Sequence, residues 1–183
     1  MASGDDEVAF IETSLPKSWQ AVALSEIATI HRGVTYGKSD ASDTELSGLI
    51  ALLRGHNIQS EINLENLVYV PKSKVASDQL LKAGDIVIAM SSGSADLVGK
   101  AAQFNEEHEV SFGAFCGVIR PVSEVIQTYL AFFCRTPFYR NQTQKGGKGI
   151  GIQNLSKGDL ERLICPLPPL AEQRRIVAKV DEL

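Results

Sequence analysis

Pro166, Pro168 and Pro169 constrain this chain more tightly than any other feature of its sequence. Each ring fixes φ and removes a backbone donor, so neither a helix nor a central strand can run through them. Directly after them Leu170, Ala171, Glu172, Gln173, Arg174, Arg175 and Ile176 favour helix, with a proline just ahead of the start. A stiff strap therefore hands a folded body over to a helix. That helix carries Ile176, Val177, Val180 and Leu183 at three- and four-residue spacing, an apolar stripe that needs covering. From Pro169 to Leu183 it would extend about 22 Å, a marginal length for an isolated helix in water. The stripe either meets a partner surface or packs back on the body.

Ahead of the strap the composition is that of a folded domain. An apolar content of 44% is enough for a core, and 183 residues fit one domain with an appendage. Residues 1–13 read as a flexible acidic N-terminus, 14–165 as the domain, and 166–183 as the strap with its helix. No window approaches about 18 consecutive apolar residues, so no membrane span is expected. The N-terminus lacks the basic start and apolar run of a secretory signal. Cys116, Cys134 and Cys165 are odd in number, far apart and in apolar company, which suits buried free thiols in the cytoplasm. His31, His56 and His108 are isolated and no CxxC spacing exists, so neither a metal nor a cofactor is expected.

The formal net charge of −4 speaks against a nucleic-acid partner until it is located. Asp5, Asp6, Glu7 and Glu12 account for all of it and leave 18 acids against 18 Lys and Arg. Between Glu124 and Asp159 there is no acid, yet Arg135, Arg140, Lys145, Lys148 and Lys157 fall there. Local field, not isoelectric point, decides phosphate binding.

Strand and helix signals mix without regular βα alternation, which places the chain in the α+β class. The sequence predicts strands over 48–53, 67–70, 85–90, 99–104, 113–120 and 163–166. It predicts a short helix over 75–82 stopped by Gly84, a buried helix over 125–134, and another capped by Thr136 with Pro137 in its first turn. Ser156 with Asp159 makes a capping pair. Residues 35–47, 91–99 and the glycine-rich 145–151 read as loops, and Trp19 as a core anchor.

Catalytic motifs fail on inspection. The stretch from Gly93 to Lys100 suggests a phosphate loop, but one residue too many separates Gly93 from Gly99, and Ala101 replaces the hydroxyl that would hold Mg²⁺. The prolines at 168 and 169 lie between leucines, not in the Asn/Asp-Pro-Pro-aromatic loop of an adenine methyltransferase. What remains is a binding signature. Lys145, Gly146, Gly147, Lys148, Gln153 and Asn154 combine charge, close backbone approach and amides able to pair with adenine. Arg54, His56 and Asn57 leave a strand end with a cation and an amide. Lys38 with Ser39, Ser91 with Ser92, and Lys100 sit in or beside polar loops. By residue type alone, each set fits a solvated loop as well as a DNA contact.

Taken in order, these segments resemble a target recognition domain from the specificity subunits of type I restriction–modification systems. The opening LP-x-x-W-x-x-x-x-L is matched at Leu15, Pro16, Trp19 and Leu24. A Gly-Asp strand and a later Gly-Lys are matched at Gly84-Asp85 and Gly99-Lys100, and a glycine loop leading to I-x-x-L at Gly146-Gly147 and Ile152–Leu155. The closing PLPPLAEQ-x-x-I is matched without departure. The resemblance implies a mixed-sheet DNA recognition domain whose C-terminal helix begins a conserved spacer. It implies that the residues just named for binding face double-stranded DNA and read one half of a split target. The implied partners are an adenine methyltransferase subunit and a restriction subunit, with no chemistry in the domain itself. Members of that family usually carry a second recognition domain, and no residue follows Leu183 here. The expectation is therefore a monomer, or a weak homodimer through the helix. Two other readings stay open: the specificity portion of a type II-like modification enzyme, and a protein-binding anti-restriction decoy that never touches DNA.

Overall fold

The computed structural model describes residues 14–94, 96–146, 153–180 and 182. Strands run at Gln20–Ala23 (β1), Ala28–Arg32 (β2), Leu49–Leu53 (β3), Val68–Pro71 (β4), Ile86–Ala89 (β5) and Ser91–Ser92 (β6). They continue at Ala101–Gln103 (β7), Val110–Phe112 (β8), Cys116–Pro121 (β9), Gln153–Asn154 (β10) and Ile164–Leu167 (β11). Helices are Leu24–Ile27 (α1), Glu124–Phe133 (α2), Pro137–Gly146 (α3), Lys157–Glu161 (α4) and Leu170–Val180 (α5).

The unbroken apolar run of β5 belongs to a strand covered on both faces. Ile86 and Ile88 point to a core shared with Leu130 and Phe133 of α2, Tyr139 of α3 and Leu160 of α4. Val87 and Ala89 point the other way, to Leu53, Val110 and Phe112. That alternation is the two-residue period of a strand. β5 sits inside an antiparallel sheet of order β2-β9-β5-β7, and a second sheet, β4-β3-β8, packs across from it. In the second sheet β3 and β8 run parallel while β3 and β4 run antiparallel. The architecture is thus α+β: helices on one face of a four-stranded sheet, a mixed three-stranded sheet on the other.

The Gly-Asp pair ahead of β5 has a structural use. Gly84 adopts φ +89°, and a Cβ there would fall 2.3 Å from the Gln127 side chain of α2. Asp85, 2% exposed, takes Nε and Nη2 of Arg120 at 2.8 and 2.7 Å. The same guanidinium donates to the carbonyls of Asp78 and Leu80, and the Ser111 hydroxyl donates to that of Gln79. The helix expected over 75–82 does not form. The backbone donors its last turn needed go elsewhere, Leu81 N–H to the Val110 carbonyl and Lys82 N–H to the Asp85 carboxylate, both at 2.9 Å, and only the 3₁₀ turns Lys72–Lys74 and Ser77–Gln79 form there.

At the other end, β11 pairs with β1, so Pro166 lies in a two-stranded ribbon where its missing donor is tolerated. The Tyr129 hydroxyl of α2 donates to the Pro166 carbonyl, and the buried Gln173 amide of α5 donates to that of Pro168 at 2.8 Å. The strap therefore turns α5 back against α2. Ile176 and Val177 are half-buried on the helix-side core. The domain itself covers those two residues in part. Val180 stays exposed, and Leu183 lies outside the described residues.

Candidate nucleic-acid interface

Strand direction gathers segments distant in sequence at one rim of the molecule. Because β3 and β8 are parallel, their C-terminal ends emerge side by side, delivering Arg54 and Gly113 together, with Gly113 N–H bonded to the Leu53 carbonyl at 2.9 Å. β2 and β5 both run antiparallel to β9, so their C-terminal ends meet its beginning, with Arg32 opposite Gly117 and Ala89 opposite Cys116. Four strand ends and the turn entering β9 converge there.

The turn 113–116 closes through Cys116 N–H to the Gly113 carbonyl at 2.8 Å. Its Phe115 carbonyl accepts from the N–H groups of Met90 and Ser91 at 2.9 and 3.1 Å. That contact joins the turn to β6, where Ser91 pairs with Asn154 and Ser92 with Gln153 of β10. The structure so brings together two of the amide and hydroxyl sets named from sequence. Asn154 is exposed and both serines are half-buried; the Gln153 side chain is outside the described set.

α3 docks beside the same place. Arg140 donates to the carbonyls of Val98 and Asp96 at 2.7 and 3.2 Å. Gly99, at φ +81°, leaves room for Thr143, whose Oγ1 would lie 2.5 Å from any Cβ there. Lys100 follows, exposed. Lys145 and Gly146 end α3 instead of lying in the loop expected from their glycine-rich setting, and Gly147 and Lys148 lie outside the described residues.

On the far side of the turn, Lys38 and Ser39 are exposed in the 3₁₀ turn Lys38–Asp40. The Lys74 ammonium, 2.8 Å from Asp40, together with the Gly37 N–H, holds that carboxyl below the ordinary range. Arg54 is exposed, with one bond to the Asn66 carbonyl at 3.3 Å, and His56 is exposed beside it.

Asn57 departs from its expected role. It is wholly buried, its Oδ1 accepts from Arg54 N–H at 2.8 Å, and its Nδ2 donates to the carbonyls of Asn63 and Glu65. Its amide holds the loop that presents Arg54; both of its donors are spent, and burial keeps the remaining oxygen lone pair from a base. Among the described residues, the cations of the acid-free segment likewise do not form a single positive face. Arg140 serves loop carbonyls, Arg135 bonds the Ser60 carbonyl and lies over Phe132, and Lys157 stands 3.6 Å from Glu161.

The sequence reading missed Tyr36 and Phe115, which line one concavity with Lys38 and Arg54. Phe115 is 69% exposed. Reading 113–120 as continuous strand concealed the turn; Gly-Ala ahead of an aromatic was the available signal. Beside the turn, burial pushes the Cys116 thiol up to about 12. Among the described residues there is no cluster of His, Cys, Asp or Glu able to hold a metal ion, and no helix is long and apolar enough to cross a membrane.

Comparison with known proteins places the chain in a family. The chain is 40% identical over 170 residues to the type I restriction enzyme EcoKI specificity subunit of Escherichia coli K12, and 39% identical over 170 residues to the StySPI specificity subunit of Salmonella potsdam. Each match covers 92% of this chain and 37% of the relative, so the chain spans little more than a third of their length. Among solved structures, the HsdS subunit from Thermoanaerobacter tengcongensis superposes with a TM-score of 0.67 at 22% identity, over 98% of this chain and 43% of that one. The type IIG restriction endonuclease BpuSI superposes with a TM-score of 0.64 at 12% identity, over all of this chain and 28% of that one. At those identities the likeness is one of fold. The sequence profile described as the type I restriction modification DNA specificity domain matches residues 16–183, and the chain belongs to that family.

Proposed function

We propose that this chain reads double-stranded DNA as one recognition domain of a type I specificity subunit, taking one half of a split target. It does no chemistry itself and presents DNA to a methyltransferase subunit and a restriction subunit. The observation that carries this reading is the convergence at one rim of Lys38, Ser39, Arg54 and His56 with the paired Ser91–Ser92 and Gln153–Asn154. Polar loops from remote parts of a chain gathered on rigid strand ends suit base contacts, with Lys38, Lys100, Lys145 and Lys148 supplying charge for the backbone.

Titration of the chain with duplex DNA tests it. If these cations neutralise about three to five phosphates, log K falls with log salt at a slope of about −3 to −4.5. Lys145→Ala or Lys148→Ala weakens all sequences alike and flattens the slope by about one unit, whereas Asn154→Ala acts on the preferred sequence alone. No binding below about 50 mM salt would overturn the DNA reading. The fold shared with a type IIG endonuclease favours a second reading, the recognition portion of a type II-like enzyme. A methyltransferase encoded beside this chain and co-purifying with it separates the two.

A further inference from the structure

The rim holds a large apolar side chain with no internal use. Phe115 is 69% exposed, yet its turn is among the best-anchored backbone at the rim, tied through the Phe115 carbonyl to Met90 and Ser91 and through Gly113 to Leu53. A ring presented in water forgoes the burial that aromatic side chains ordinarily gain. A rigid mount means little further ordering when a partner covers it.

The surrounding chemistry identifies the partner group. A concavity of about 870 Å³ is lined by Phe115, Tyr36 and Val68 together with Arg54, Lys38 and Asp43. A groove that tracks phosphates is lined by cations, and a carboxylate such as Asp43 repels them. Base edges in the major groove need a mixture: a guanidinium for guanine, a carboxylate for the cytosine amine, and an apolar surface for the thymine methyl. The concavity offers all three.

We propose that Phe115 is a specificity-determining residue whose ring contacts the C5-methyl of a thymine, with Arg54 and Asp43 facing neighbouring base edges. This rests on the DNA reading above. The test uses the full chain, the duplex motif that the unaltered chain selects from a random pool, and copies in which each thymine in turn becomes deoxyuridine. The unaltered chain loses roughly four- to tenfold at one such position. Phe115→Ala binds the selected duplex weaker by a similar factor and loses no more with deoxyuridine there. Its salt slope on random duplex and its melting temperature stay unchanged.

The proposal is overturned alone if Phe115→Ala discriminates as the unaltered chain does, if it weakens every sequence equally, or if it remains sensitive to that deoxyuridine. A selected motif lacking any A·T pair overturns it too. An unaltered chain that binds no duplex overturns the DNA reading and this inference together.

Discussion

Arg120 holds together three parts of the molecule with one side chain. It bonds both carboxylate oxygens of Asp85 and the carbonyls of Asp78 and Leu80, so the segment before β5 is pinned to β9. Replacing it with leucine leaves Asp85 as a buried, unpaired charge, and stability falls by about 3–5 kcal/mol in urea unfolding. A loss below about 1 kcal/mol, the value of a surface pair, would contradict this role. Asn57 and Phe115 show what residue type alone conceals. An asparagine after a strand reads as a base contact until its burial is known, because donor and acceptor count are the same in either role. A phenylalanine between strands reads as core until the turn that exposes it is seen. The exposure of Lys38, Arg54 and Asn154 was legible in the sequence, because charged and amide side chains mostly stay at the surface.

Among the elements, α4 has the most specific start. Ser156 Oγ accepts from Asp159 N–H at 3.1 Å, while the Asp159 carboxylate accepts from Ser156 N–H at 2.9 Å. Burial alone would raise the Asp159 pKa; the Ser156 bonds and the Arg162 guanidinium outweigh it and hold the carboxyl below its ordinary value. A depressed folded-state pKa stabilises above the unfolded value of about 3.9, and that contribution is lost as pH falls through the folded value. Ser156→Ala therefore costs about 1 kcal/mol at pH 7. The stability gap between the unaltered chain and Asp159→Asn stays flat above about pH 5 and closes below about pH 4. A gap that widens on acidification would contradict the assignment. This cap and the proline strap were readable because their signals are local. The β6–β10 pairing was not, since two-residue strands far apart in sequence carry no periodicity. The helix over 75–82 failed because Val110, remote in sequence, and Asp85 take the Leu81 and Lys82 N–H groups that its last turn needed.

At the scale of the whole molecule, the parallel pairing of β3 with β8 turns a scattered set of polar loops into one rim. At the opposite end, the strap folds α5 onto α2. Among the described residues of the stripe, Ile176 and Val177 are half-buried against the domain and Val180 is 38% exposed, so only part of the stripe is open to a second copy. Sedimentation of the isolated chain should show a monomer, or a weak dimer dissolved by Val180→Asp; a tight dimer indifferent to that change would place the interface elsewhere. Selection from a randomised duplex pool at low ionic strength tests most directly whether the rim reads sequence. A rim that reads sequence enriches one short motif, about 3–5 base pairs long, that competitor DNA does not erase. Retention of every sequence equally, or of none, would contradict it.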